Sequence, residues 1–174
     1  MNSDFKSLLS ILNAHNVRYL VVGGYAVMKY TEPRYTKDLD IWIDASHVNA
    51  RALFTALREF GAPLTNFSPS DFAREGWIYQ MGRPPVRVDV LTSIEGVRFT
   101  EAWPNRTAAD YDGVPAHLIS REDLLLNKRT VGRPQDLLDV SNLIEAQKTL
   151  EGLKAKVKLK KKGKPEGPDK ENKL

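Results

Sequence analysis

The chain has no cysteine among its 174 residues, which excludes a disulfide framework and a thiolate metal site and fits a reducing compartment. The expected location is the cytoplasm. No apolar run approaches the roughly 20 residues a membrane helix needs, so no membrane partner is expected. Histidine is scarce, and His15, His47 and His117 stand too far apart for the spacing of zinc ligands. No G-x-S-x-G or G-x-x-x-x-G-K-[ST] string occurs, which removes the usual serine-hydrolase and P-loop signatures. The first residues, MNSDFKSLLSILNAHNVRYL, carry an early acid and no basic leader, so they do not read as a secretory signal.

Length allows one domain of ordinary size with a core of its own. The net charge of +4 suggests nucleic acid until it is divided along the chain. Residues 152–174 hold 9 of the 26 basic residues and 3 of the 22 acidic ones, which leaves 17 against 19 for residues 1–151. The expected folded part is therefore nearly neutral, and the Lys-rich segment 152–174 reads as a disordered tail, since like charges with Gly and Pro bury little. Such a tail attracts any polyanion without selecting one.

Phe5, Leu8, Leu9, Ile11 and Leu12 recur at helical spacing behind Ser3 or Asp4 as a cap. RYLVVGG then reads as a strand running into two glycines, and YAVMKY as a helix that Pro33 ends. In DLDIWI, alternation sets Leu39, Ile41 and Ile43 on one face and Asp38, Asp40 and Trp42 on the other. His47 to Phe60 is helical, with Gly61 and Pro63 as its stop. WIYQM and VRVDVL read as strands separated by GRPP, Arg87 and Asp89 sharing the polar face of the second. A short helix is expected near Glu101, irregular chain through VPAHLIS, and two final helices split by VGR, with Ser120 and Asp123 as a capping box and Pro134 in the last opening turn. The order describes an α+β, α/β-like domain with a mixed sheet flanked by helices.

Three features converge on one chemistry. Gly23 and Gly24 at a strand-to-helix turn let backbone amides approach a phosphate chain at a helix N-terminus, although a bare tight turn also needs such a pair. Asp38 and Asp40 on one strand face repel each other unless a cation neutralises them. A hard divalent ion, Mg²⁺ or alternatively Mn²⁺, suits two carboxylates beside substrate phosphates; two solvated acids on an exposed edge are the other reading. Asp89, on the polar face of a later strand, adds the third carboxylate that a two-metal site for in-line displacement uses.

Together these residues resemble the DNA polymerase beta-like nucleotidyltransferase superfamily, with its glycine turn, D-x-D and distal Asp. The variant GGYAV followed by PRYTKDLDIWI, and NKRTVGRPQDLLDV further on, are similar to the abortive-infection (AbiEii/AbiGii toxin) class and its bacterial relatives, over roughly residues 17–147. The lincosamide nucleotidyltransferases share the pattern. The resemblance implies a nucleotidyltransferase fold over residues 1–151. It also implies an Mg²⁺-dependent enzyme that moves a nucleoside monophosphate from a nucleoside triphosphate, such as ATP, to an acceptor hydroxyl. RNA, such as a tRNA 3′ end, or protein ranks ahead of a small molecule as acceptor, and the chain would be the toxin of a toxin–antitoxin pair with a cognate antitoxin. Asp38, Asp40 and Asp89 would hold the metals, Asp89 also helping to deprotonate the acceptor. Gly23 and Gly24 would cradle phosphates, with Arg34, Thr36 and Lys37 nearby. Lys128 would contact the triphosphate and Asp136 would orient it, while Lys128, Asp136 and Asp139 read equally as a structural ion-pair cluster between two helices. A non-catalytic nucleotide- or partner-binding module on a degenerate version of this fold is the competing class.

Overall fold

The alternation in DLDIWI becomes strand β2 (Asp38–Ile43), the third of six strands in a sheet of order β3-β4-β2-β1-β6-β5. The computed structural model describes residues 1–36 and 38–162. β1 (Tyr19–Val21) runs antiparallel to β2 and parallel to β6 (Val114–Leu118). β4 (Val86–Leu91) lies parallel to β2 on its other side and antiparallel to β3 (Ile78–Arg83), while β5 (Thr107–Tyr111) closes the far edge against β6. The sheet is therefore mixed, as expected.

Each face of the sheet has its own core. Leu39, Ile41, Ile43, Val88 and Val90 pack with Phe5, Leu8, Leu9 and Leu12 of α1 (Ser3–Ala14) and with Leu53 and Leu57 of α3 (His47–Phe60). Leu20 and Trp42 face the other way. They join Ala26 and Val27 of α2 (Gly23–Tyr30), Phe99 of α4 (Phe99–Ala102), Leu124 of α5 (Arg121–Val131) and Leu143 of α6 (Pro134–Lys162). Phe99 meets Trp42 edge-on with ring centroids 5.1 Å apart, a favoured aromatic geometry. Asp38, Asp40 and Asp89 share this second face, where helices α2, α5 and α6 stand over the sheet.

Local chemistry explains the element ends. Asn2, rather than Ser3 or Asp4, caps α1, its side chain accepting from the Asp4 amide at 2.8 Å. Gly61 ends α3 in the left-handed conformation at φ 86. Ser120 caps α5 as expected, accepting from the Asp123 amide at 3.1 Å while its hydroxyl donates to the Asp123 carboxylate at 2.7 Å.

Two expectations need correction. The stretch VPAHL is strand β6 rather than irregular chain, the second arm of a hairpin whose turn places Asp112 at φ 54 and Gly113 at φ 90. Those are the positive φ values a tight two-residue hairpin requires. The final helix also runs on through Lys162 instead of stopping before Gly152, because the segment after Glu151 is built of Lys, Leu and Ala, good helix formers. Residues 163–174, the rest of the expected tail, lie outside the described residues, as does Lys37. Among the described residues, no helix is long and apolar enough to cross a membrane.

Candidate active site

Parallel pairing of β2 and β4 sets Asp40 directly beside Asp89 and Asp38 directly beside Arg87. Because successive strand residues alternate faces, Asp38, Asp40, Arg87 and Asp89 form one polar square on the α2 side of the sheet. The turn after β1 closes on that square. The Val22 amide donates to the Asp40 carbonyl at 3.0 Å, so Gly23, at φ 57, is pressed against the Asp40 side chain. A Cβ at Gly23 would lie 1.9 Å from Asp40 Oδ2, and one at Gly24 would lie 2.5 Å from Thr36 Oγ1. A side chain at either place would force Asp40 or Thr36 to shift. Val22 supplies no side-chain cap to α2, so the first amides of that helix are left for an anion from outside the protein.

These residues line a cavity of about 430 Å³ that Val22, Gly23, Gly24, Arg34, Thr36, Asp38, Asp40, Arg87 and Asp89 share with Glu95, Asn127, Lys128, Arg133 and Asp136. Of the ten positions named from the sequence, the nine that are described all fall here. The cavity brings together four cationic side chains and five carboxylates, which suits a polyanion carried with a cation rather than an apolar ligand.

The carboxylates are not equivalent. Asp40 is largely withdrawn from water and flanked by Asp38 and Asp89; burial first, then those two charges, raise its carboxyl from 3.8 to about 6 against the opposing pull of Lys128 and Arg87. Asp38 and Asp89 have a partner that Asp40 lacks. Arg87 donates from Nη2 to Asp38 Oδ2 and, at 2.9 Å, to Asp89 Oδ2. Its Nε also stands 2.9 Å from Asp89 Oδ1 as a charge contact without hydrogen-bond alignment, leaving Oδ1 with no hydrogen bond among the described residues. Gln80 adds a 3.2 Å bond to Asp89 Oδ2. With the side chains so arranged, no group of three His, Cys, Asp or Glu among the described residues forms a ready ion cage.

The residues nevertheless suit a hard divalent ion. The donors are carboxylate oxygens, the chemistry such ions take, and burial first, then the charges of Asp38 and Asp89, make Asp40 costly to ionise without a cation beside it. The glycine turn at 23 and 24 lets its backbone approach Asp40 and Thr36 more closely than a side chain would allow.

The other wall is an ion network around the buried Lys128, Asp136 and Asp139. Lys128 donates to Asp136 Oδ1 at 2.7 Å and contacts Asp139 Oδ2 at 3.1 Å; Arg34 reaches the same Asp139 oxygen at 3.0 Å, and Arg133 holds Asp136 Oδ2 at 2.7 Å. Asp139 is wholly buried. Bonds from Arg133 and Lys128 hold the Asp136 carboxyl below the ordinary carboxylate range, although its burial acts the other way. The ion-pair cluster between α5 and α6 is thus present, and it extends to the loop before β2 through Arg34. Sequence reasoning placed Arg87 on the face of Asp89 but missed its part, and it left Arg133 unassigned; the signal for the first was an Arg two residues before the distal Asp.

A glycine turn, two carboxylates on one strand and a third on its parallel neighbour, set in a mixed sheet flanked by helices, define a nucleotidyltransferase. The chain belongs to the family described as "Nucleotidyltransferase of unknown function (DUF6036)", whose model matches residues 3–162. No curated protein matches it. Among solved structures, the lincosamide antibiotic adenylyltransferase LnuA with lincomycin bound is similar at 17% identity and a TM-score of 0.50, covering 84% of this chain and 98% of that one. ANT(2″)-Ia in complex with adenylyl-2″-tobramycin is similar at 15% identity and a TM-score of 0.51, covering 88% of this chain and 91% of that one. At these identities the likeness is one of fold.

Proposed function

We propose that this nucleotidyltransferase moves a nucleoside monophosphate from a nucleoside triphosphate to an acceptor hydroxyl, with Asp38, Asp40 and Asp89 as ligands of Mg²⁺. The observation that carries this reading is the lateral pairing of Asp40 with Asp89 against the Gly23 turn. When bound, the metal neutralises the phosphates and stabilises the attacking and leaving oxygens of the displacement.

The protein's own groups do the positioning. The acceptor oxygen attacks the α-phosphorus, the bond from that phosphorus to the bridging oxygen breaks, and pyrophosphate leaves with the electron pair. Asp89 Oδ1, free of hydrogen bonds within the described residues, takes the hydroxyl proton. The Gly23 and Gly24 amides hold phosphate oxygens at the start of α2, and Arg34 and Thr36 complete that wall. Lys37, expected there too, lies outside the described residues. Lys128 and Arg133 offer positive charge from α5 and the loop after it, with Asp136 and Asp139 fixing where that charge sits. Holding these groups in place before the substrate arrives is what allows so small a domain to act.

For the acceptor, small hydroxyl compounds are set level with the RNA or protein expected from the sequence, a choice supported by two proteins of similar fold that hold lincomycin and adenylyl-2″-tobramycin. The toxin reading, with its cognate antitoxin, rests on the resemblance carried by GGYAV, PRYTKDLDIWI and NKRTVGRPQDLLDV and requires growth arrest when the chain is expressed alone. The test is incubation with each α-labelled triphosphate and Mg²⁺ beside total RNA, lysate protein or a panel of hydroxyl compounds. Label transferred to one of them in wild type and lost in Asp38→Asn/Asp40→Asn supports the reading. Pyrophosphate release unchanged in that variant would defeat it.

A further inference from the structure

Arg87 supplies the positive charge that directly contacts Asp38 and Asp89. It faces Asp38 in the β2–β4 register and precedes Asp89 by two residues, so its guanidinium bridges both carboxylates from the plane of the sheet. About a third of its side chain is exposed, against a quarter for Asp38 and a tenth for Asp89. The planar fork satisfies two carboxylates at once, which a point charge does less well. Asp40, by contrast, makes no bond to it and lies against the Gly23 turn.

We infer that Arg87 is a resident counter-ion that a divalent metal must displace from Asp38 and Asp89, and that this competition couples metal loading to the nucleotide. The inference rests on the metal-dependent reading above. A free divalent ion entering the square must break charge-assisted bonds and strand the guanidinium beside a second cation, an unfavourable exchange. A metal–triphosphate complex removes that difficulty. It brings its own oxygen ligands, and its phosphates offer the released guanidinium a new anionic partner within the same cavity, where Arg87 already lines the wall. Arg87 is therefore a positioning residue. With no metal it keeps Asp38 and Asp89 from repelling each other, and it makes the loaded nucleotide, rather than the bare ion, the species the site accepts.

The experiment is titration of Mn²⁺ into the full chain, read by electron paramagnetic resonance of the free ion, with and without a non-hydrolysable triphosphate. Wild type, Arg87→Met and Arg87→Lys are compared, each first checked for a cooperative melt. Wild type should bind free Mn²⁺ weakly and much more tightly with the nucleotide. Arg87→Met should bind the free ion at least about tenfold more tightly than wild type, the equivalent of removing one charge-assisted bond, and the gain from nucleotide should shrink. Arg87→Lys, whose single ammonium holds the pair less completely, should fall between; it also carries the test should Arg87→Met not fold. Free-ion affinity unchanged or lowered in the folded variants, while Mn²⁺–nucleotide still binds, overturns the role of Arg87 alone. Failure of every protein, wild type included, to bind Mn²⁺ with nucleotide overturns the metal-dependent reading and this inference with it.

Discussion

Asp40→Asn should make the metal-free protein more stable at neutral pH, although it removes a residue at the centre of the site. Burial and two neighbouring carboxylates raise the Asp40 carboxyl from 3.8 to about 6. Between those values the folded chain keeps a proton that the unfolded chain has already lost, so stability falls as pH rises through this window and levels off above it. At about 1.4 kcal/mol per pH unit, the ionised carboxylate costs the folded state roughly 3 kcal/mol at pH 7. That is a large share of the roughly 5–15 kcal/mol by which such domains are stable. Asparagine keeps the shape and removes the charge.

The assay is urea unfolding of wild type and Asp40→Asn in the presence of a chelator, at steps between pH 4.5 and 8. The variant's advantage should be small at the acid end, grow through pH 6 and reach roughly 3 kcal/mol by pH 7 to 8. Adding Mg²⁺ with a triphosphate should stabilise wild type and hardly affect the variant. A variant less stable than wild type at pH 7, or a difference that does not change with pH, would refute the claim that Asp40 is held ionised at a cost.

Three further outcomes are expected. Asp89→Asn should keep most triphosphate binding in calorimetry while transfer falls roughly 10²-fold or more, whereas Asp38→Asn with Asp40→Asn should lose metal-dependent binding itself; equal behaviour of the two would deny Asp89 a separate role. Gly23→Ala places a methyl 1.9 Å from Asp40 Oδ2 at a positive φ and should cost roughly 1–3 kcal/mol and weaken nucleotide binding, while Gly61→Ala, with nothing within 4 Å, should lower the melting temperature without touching binding. Lys128→Met leaves Asp136 to Arg133 and Asp139 to Arg34 and Gln135 and should cost about 3 kcal/mol in urea unfolding, with a loss near zero assigning Lys128 no part in holding α5 to α6.

What the sequence disclosed and what it withheld divide along a physical line. Period-two alternation assigns a residue to a face, and on that ground Asp38, Asp40 and Asp89 were legible, as were both glycines, because a strand meeting a helix over two residues needs backbone freedom. The β5–β6 hairpin was harder. Ala108, Ala109, Asp110 and Pro115 are poor strand formers, yet Asp112-Gly113 supplied a turn signal that outweighed them once β6 could pair with β1. Partners across strands were out of reach for a stronger reason. The Asp38–Arg87 bond joins residues 49 apart, and the contact of Arg34 with Asp139 spans 105; neither distance appears in any local pattern. Register decides such pairs, since a slip of one residue would turn Arg87 and Asp89 away from the square and leave Asp38 without its guanidinium partner. The parallel register that joins Asp40 to Asp89 is therefore the same register that seats Arg87 between Asp38 and Asp89. With arginine at position 87, the register that assembles the three carboxylates also sets beside them the guanidinium inferred to compete with the metal.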